Sequence, residues 1–308
     1  MKKVSILVLL SLLAVSVGTA FGAGAAEPEE LVIGSTVYTT QHEFYADVIS
    51  GMEMEAEEQG VRLVVSDANS DVTTQTNQID DYAIQRVDAM IVYGVDPVAI
   101  VPAVEEAVNA GIPVVTCDMP LETDMAATFI GSDNWMLGEE AGKYAVEYIE
   151  NELGGEAKIG VVTWLASVAQ QERFEGFEAQ VKELPGVEIV AVGDGDGREE
   201  AMSSAEDILQ ANPDLDLMYG SNEGTVVGSM AAIESAGRDV PIVGVDISQD
   251  VIRGIEQGQI IATIAQQPVL LGQYAVQAAI DAIDGKELDD TIVVPVETVT
   301  SENVDDFK

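Results

Sequence analysis

Two aspartates close matching stretches of this chain. Pro113-Val114-Val115-Thr116-Cys117-Asp118 and Pro241-Ile242-Val243-Gly244-Val245-Asp246 are both proline-opened runs that end in a carboxylate. The match extends upstream. Ala110-Gly111 and Ala236-Gly237 lead into the two runs, each 17 residues after the tyrosine of a Tyr-Gly pair, Tyr93-Gly94 and Tyr219-Gly220. The second copy adds only Arg238 and Asp239. Asp96 and Asn222 occupy matching places just after the two Tyr-Gly pairs. Carboxylates aimed into one cleft support two kinds of chemistry. They can accept hydrogen bonds from a ligand rich in donors, or they can divide acid and nucleophile roles at a glycosidic bond. The plainer alternative is that each aspartate caps the helix after it.

Much other chemistry is excluded by composition. One cysteine, Cys117, leaves no internal disulfide and no Cys-rich zinc site. One histidine, His42, leaves no His-pair metal motif and a single base for any Ser-His-Asp triad. Asp194-Gly195-Asp196-Gly197 begins like a calcium loop, but Arg198 replaces the third acidic ligand, so it reads as an acidic turn. A formal net charge of −42 repels phosphate backbones and anionic lipid, which argues against nucleic acid as a partner.

The elements that must position these groups follow from periodicity. Short apolar runs at 31–37, 61–66, 89–93 and 113–117 predict strands. Between them, Phe44, Val48, Ile49, Met52 and Ala56 share one helical face, and 73–86 and 97–109 read as further helices. The rhythm resumes with strands predicted at 158–163, 186–192, 215–219, 240–245 and 260–265. Alternation of this kind implies βαβ units and parallel sheet. Near-continuous hydrophobic strands imply helices on both sheet faces. The length of 308 residues and the internal repeat together predict two similar α/β halves, each a Rossmann-like doubly wound domain. Ligands of open α/β sheets bind beyond the carboxyl ends of the strands, where Asp118 and Asp246 stand. Lys2 and Lys3, the apolar run 4–17 and the small residues of 18–26 predict a signal peptide over 1–26, cleaved between about 22 and 26.

With these features in place, the sequence resembles the periplasmic sugar-binding proteins of the ribose-binding type, receptor subunits of ABC importers with the type 1 periplasmic-binding fold. The resemblance covers 31 to about 299. It is clearest at 114–118, Ile130-Gly131-Ser132-Asp133-Asn134, Glu172-Arg173-Phe174-Glu175-Gly176-Phe177, Ser221-Asn222-Glu223, Val243-Gly244-Val245-Asp246 and 262–268. It implies ligand-binding roles for Asp118, Arg173, Asn222, Asp246 and Gln266, and for the adjacent aromatics Phe44 and Tyr45. Trp164 is added because it follows a strand where the family places a cleft residue. The chemistry suits a sugar or polyol. Carboxylates accept, guanidinium donates, amides do both, and aromatic faces cover C–H faces.

Three departures bear on specificity. Met119 stands where the ribose-binding pattern has arginine, His42-Glu43 replaces Asn-Pro, and Asp196 replaces an aromatic. Met119 and His42 are therefore the specificity candidates, and the ligand class stays open among pentoses, hexoses, polyols and furanose-like signal molecules. The resemblance implies one lobe of 27–132 plus 267–293 and another of 133–266 plus 294–308, joined by three crossings and closing on the ligand at a hinge. It implies an ABC permease with its ATPase as partners, with a chemoreceptor as a further candidate. It also implies a periplasmic monomer that needs no cofactor or metal. Two other readings stay open: a glycoside-processing enzyme using Asp118 and Asp246, and a sensor-only receptor. Against the enzyme, Arg173 is expected to keep both carboxylates ionised, whereas an acid catalyst needs one raised pKa.

Overall fold

The computed structural model describes residues 30–308 apart from 42 and 196. The predicted signal peptide, His42 and Asp196 thus lie outside the described residues. The chain runs β1 (Val32–Val37), α1 (Glu43–Gln59), β2 (Arg62–Asp67), α2 (Val72–Gln85), β3 (Ala89–Tyr93), α3 (Val101–Asn109), β4 (Val114–Cys117) and β5 (Thr128–Gly131). It continues through α4 (Asn134–Glu152), β6 (Glu156–Thr163), α5 (Val168–Val181), β7 (Gly186–Asp194), α6 (Arg198–Ala211), β8 (Leu217–Gly220), α7 (Glu223–Ala236) and β9 (Ile242–Val245). It ends with α8 (Gln249–Glu256), β10 (Ile260–Ala265), α9 (Pro268–Ile283), β11 (Thr291–Val293), β12 (Glu297–Val299) and a 3₁₀ turn, Val304–Phe307.

These strands form two six-stranded sheets. The first has the order β11-β5-β4-β3-β1-β2 and the second β12-β10-β9-β8-β6-β7. All pairings are parallel except β10 with β12. The central strands β3, β4, β8 and β9 are buried at every residue, as hydrophobic runs covered by helices on both faces should be. The predicted repeat corresponds to β3-α3-β4 in one sheet and β8-α7-β9 in the other.

The chain passes between the sheets three times. It leaves β5 through Ser132 and Asp133 into α4, leaves β10 through Gln266 and Gln267 into α9, and runs from β11 to β12 across 294–296. Helix α9 returns to the first sheet's side. There Leu271, Ala275, Val276 and Ala279 join Ile33, Val48, Met52 and Val115 in one core. The core around Leu137, Ile159, Phe177, Tyr219 and Val243 serves the second sheet in the same way.

Glycines set how closely two helix pairs approach. A Cβ on Gly51 of α1 would lie 1.9 Å from the Val269 carbonyl oxygen, and one on Gly272 of α9 would lie 2.1 Å from that of Val48. The pair α4–α5 repeats the device, with Gly138 facing the Arg173 carbonyl oxygen at 1.8 Å and Gly176 facing that of Trp135 at 2.2 Å. Any side chain there would force the helices apart.

The main differences from the sequence reading are one helix start and three short strands. The third helix starts at Val101 rather than at 97, because Asp96 accepts from the Val98 and Ala99 N–H groups at 2.9 and 2.7 Å and holds a turn. Strands β5, β11 and β12 were not expected. Strands β11 and β12 are three residues long, and β5 lacks the proline-opened hydrophobic run that marks β4 and β9.

Candidate functional site

The two repeat aspartates share one backbone device. Asp118, one residue beyond β4, has φ 66°, and Asp246, one residue beyond β9, has φ 72°. The N–H of each donates to a carbonyl of the neighbouring strand at 2.9 Å, Asp118 to Ile130 and Asp246 to Ile264. The left-handed conformation is uncommon outside glycine, though aspartate tolerates it better than most. Its occurrence at both copies marks corresponding positions in the two sheets, each turning a carboxylate off the end of a central strand.

A cavity of about 490 Å³ lies where these strand ends meet. Phe44 and Tyr45 in the first turn of α1 line it together with Asp118. From the second sheet's elements come Arg173, Asn222 and Asp246, and from the crossing comes Gln266. Seven of the ten predicted site residues therefore meet in one space.

Each side chain is held by specific partners. Arg173 is 6% exposed; its Nε donates to Asn134 Oδ1 at 2.9 Å, and its Nη1 donates to the Ser221 carbonyl at 3.1 Å and to Asp246 Oδ2 at 3.4 Å. The close α4–α5 approach allowed by Gly138 and Gly176 brings Asn134 within its reach. Asp246 Oδ1 accepts from Gln266 Nε2 at 2.7 Å, so one carboxylate ties the guanidinium to the crossing segment. Asn222 caps α7 through a reciprocal pair with Thr225: its Oδ1 accepts from the Thr225 N–H at 2.8 Å, and Thr225 Oγ1 accepts from its own N–H at 2.9 Å. Capping and cavity lining thus coincide at this residue, with the side-chain amide nitrogen left for a ligand.

On the opposite wall, the Tyr45 hydroxyl donates to Asp118 Oδ2 at 2.7 Å. The Tyr45 ring stacks on Tyr38 at 5.7 Å between centroids and meets Phe44 edge-on at 5.2 Å. Asp118 is a poor place for a negative charge. Burial pushes its carboxyl above the ordinary value; the Tyr45 hydrogen bond and the Arg173 charge pull it down, and the Asp246 charge adds to the rise. At Asp118 burial therefore outweighs the pull of Arg173, which the sequence reading had expected to dominate. Burial and the adjacent Asp118 also push the Tyr45 hydroxyl well above its usual range, so it remains a donor.

Trp164 and Met119 do not line the cavity. Trp164 ends up 37% exposed in the turn after β6, where its carbonyl accepts from the Ser167 N–H at 3.2 Å. Met119 is half-buried; the chain reverses at Asp118, and the Met119 N–H folds back on the Cys117 carbonyl at 2.8 Å. Asp96 caps its turn, as the plainer reading had it. His42 lies outside the described residues. Cavity residues that the sequence reading missed include Asp47, Gln170, Glu223 and Ser248. Gln170 carried a usable signal, because it precedes Arg173 by three positions and three-apart residues share a helix face.

The family described as the periplasmic binding protein domain matches residues 33–287. The ribose import binding protein of Bacillus subtilis (strain 168) is 32% identical over 306 residues, covering 97% of this chain and 99% of its own length. A xylitol-binding protein of Mycolicibacterium smegmatis is 29% identical, covering 93% of this chain and 82% of its own. Among solved structures, an ABC transporter solute-binding protein from Bacillus halodurans C-125 with bound myo-inositol is 27% identical. It superposes with a TM-score of 0.79 over 92% of this chain and 98% of its own.

Proposed function

We propose that this chain, which belongs to the periplasmic binding protein domain family, is the solute-binding receptor of an ABC importer and takes a monosaccharide or polyol between its two sheets. The observation that carries the reading is the meeting of Asp118 and Tyr45 from one side with Arg173, Asn222, Asp246 and Gln266 from the other in one cavity. Carboxylates, guanidinium, amides and aromatic faces are the set that matches a ring or chain of hydroxyls. The relatives bind a pentose, a pentitol or a cyclitol, all neutral and hydroxyl-rich.

The protein is a binding protein and not an enzyme. The relatives carry that conclusion. It acts outside the cytoplasm, as its family does, and its partners are the subunits of an ABC transporter. In our reading the mature chain starts between Ala23 and Glu27. The lobes are 27–132 plus 267–293 and 133–266 plus 294–308. The ligand favours the closed arrangement because only that arrangement offers it both walls at once. One chain supplies both walls, which supports a monomer. A chemoreceptor reading the same closed form is a partner the proposal admits.

A thermal-shift screen with D-ribose, xylitol and myo-inositol, followed by calorimetry, tests the function. A ligand present at about 100 times its Kd adds about 2.7 kcal/mol of stability. The reading expects at least one melting temperature to rise and the ligand to be recovered unchanged. Release of a product would favour the enzyme, and no shift with any of the three would count against a sugar or polyol.

A further inference from the structure

Gln170 lines the cavity, is 8% exposed, and keeps a buried amide oxygen with no hydrogen-bond partner among the described residues. Buried acceptors are nearly always satisfied, so an orphan on a cavity wall needs a reason. A local explanation exists and fails. Ser167 caps α5, and Gln170 stands three residues on, where a glutamine closes a capping box by bonding back to the cap's N–H. Here that N–H donates to the Trp164 carbonyl at 3.2 Å instead. The cap serves the Gln170 backbone only, with Ser167 Oγ accepting from its N–H at 3.4 Å. The amide is therefore left without an internal role, on the same helix face as Arg173.

We propose that Gln170 is a specificity-determining residue whose amide bonds a ligand hydroxyl on the Arg173 side of the cavity. The inference rests on the proposed function and names the ligand class more narrowly: a sugar or polyol that carries a hydroxyl at the position reached by Gln170, so that the analogue deoxygenated there binds poorly. The last side-chain torsion of glutamine is soft, so the amide can turn its oxygen or its nitrogen to that hydroxyl. A site built to bond a hydroxyl discriminates strongly against its loss, because the protein group is then left buried and unpaired. The specificity role expected of Met119 passes to a residue that lines the cavity.

The test compares wild type with Gln170→Met, which keeps length and removes the amide. Calorimetry is run with D-ribose, xylitol, myo-inositol and the monodeoxy forms of whichever of them binds most tightly. The expected loss is about tenfold in affinity for the full ligand. For one monodeoxy form, the two proteins should bind equally weakly. The ligand-free melting temperature should hold or rise, because the substitution removes an unpaired buried acceptor. Equal affinity of the two proteins for every probe would overturn the inference and leave the function standing. A fall in ligand-free melting temperature with affinity unchanged would show a structural residue and overturn it as well. Failure of wild type to bind any probe would overturn the function, and the inference with it.

Discussion

Replacing Asp246 by asparagine makes one oxygen do the work of two. In the protein, Asp246 Oδ1 accepts from Gln266 Nε2 at 2.7 Å and Oδ2 accepts from Arg173 Nη1 at 3.4 Å. Arginine offers only donors, so the single oxygen of the asparagine must face Arg173. Its amide nitrogen then faces Gln266, whose amide has to turn over to present an oxygen. The hydrogen-bond count survives; the charge assistance does not. With side-chain exposures of 8% for Arg173 and 23% for Asp246, the pair is mostly shielded from water, and its loss costs about 1–2 kcal/mol. That corresponds to a fall of about 2–8 °C in the ligand-free melting temperature. Binding suffers further, since the ligand loses a charged acceptor and meets Gln266 with its polarity reversed. Together these cost about 2–4 kcal/mol, or roughly 30–1,000-fold in Kd. Asp118→Asn is the contrast. Among the described residues its side-chain partner is the Tyr45 hydroxyl, which an amide oxygen can also accept. Affinity should fall about 10–100-fold, as for any lost charged acceptor, while ligand-free stability at neutral pH holds or rises, because a carboxylate disfavoured by burial is gone. Scanning calorimetry and titration calorimetry on the two variants check both arms. Equal losses of stability, or unchanged affinity in either variant, would refute the reasoning.

The remaining expectations concern pH, packing and export. Because the folded protein raises the Asp118 pKa, the folded state holds that proton more tightly than the unfolded chain. Its contribution is therefore fully present below the ordinary carboxylate value near 3.9 and is lost as pH rises through the folded value; Asp118→Asn should remove that slope from the ligand-free stability profile. Tyr45→Phe removes a bond that lowers the Asp118 pKa, so carboxyl NMR should find Asp118 titrating higher still; an unmoved titration would discount the bond. Gly138→Ala and Gly51→Ala each drive a methyl into a carbonyl oxygen and should cost about 1–3 kcal/mol apiece in unfolding experiments. Mass spectrometry of the exported protein should find a first residue between Ala23 and Glu27, and a mature species that retains Met1 would contradict the predicted leader.

The parts of this molecule that were legible in its sequence are those where local pattern and tertiary role coincide. The duplicated Tyr-Gly, Ala-Gly and proline-opened runs reported β3, β4, β8 and β9, because buried parallel strands need continuous hydrophobics. They also located Asp118 and Asp246, which no other feature does as directly. The strands β5, β11 and β12 left no such trace, since none lies in a continuous hydrophobic run repeated between the two halves. Trp164 and Met119 lie in turns and do not line the cavity: Trp164 accepts from the Ser167 N–H, and the Met119 N–H folds back on the Cys117 carbonyl. Gln170 was missed because an uncharged amide does not stand out by type, and only its three-residue spacing from Arg173 marks it in the sequence.

The return of α9 to the first sheet has a consequence for the order in which the chain is made and exported. Val48 and Met52 share a core with Leu271, Ala275 and Val276, which are synthesised more than 200 positions later. Strand β11 then completes the edge of that same sheet beside β5. The first-made lobe therefore cannot bury its own apolar surface while the chain is still emerging. Contacts so distant in sequence form slowly, because loop closure must precede the reward of pairing. The first sheet thus receives its α9 cover and its β11 edge only from the last part of the chain to be made.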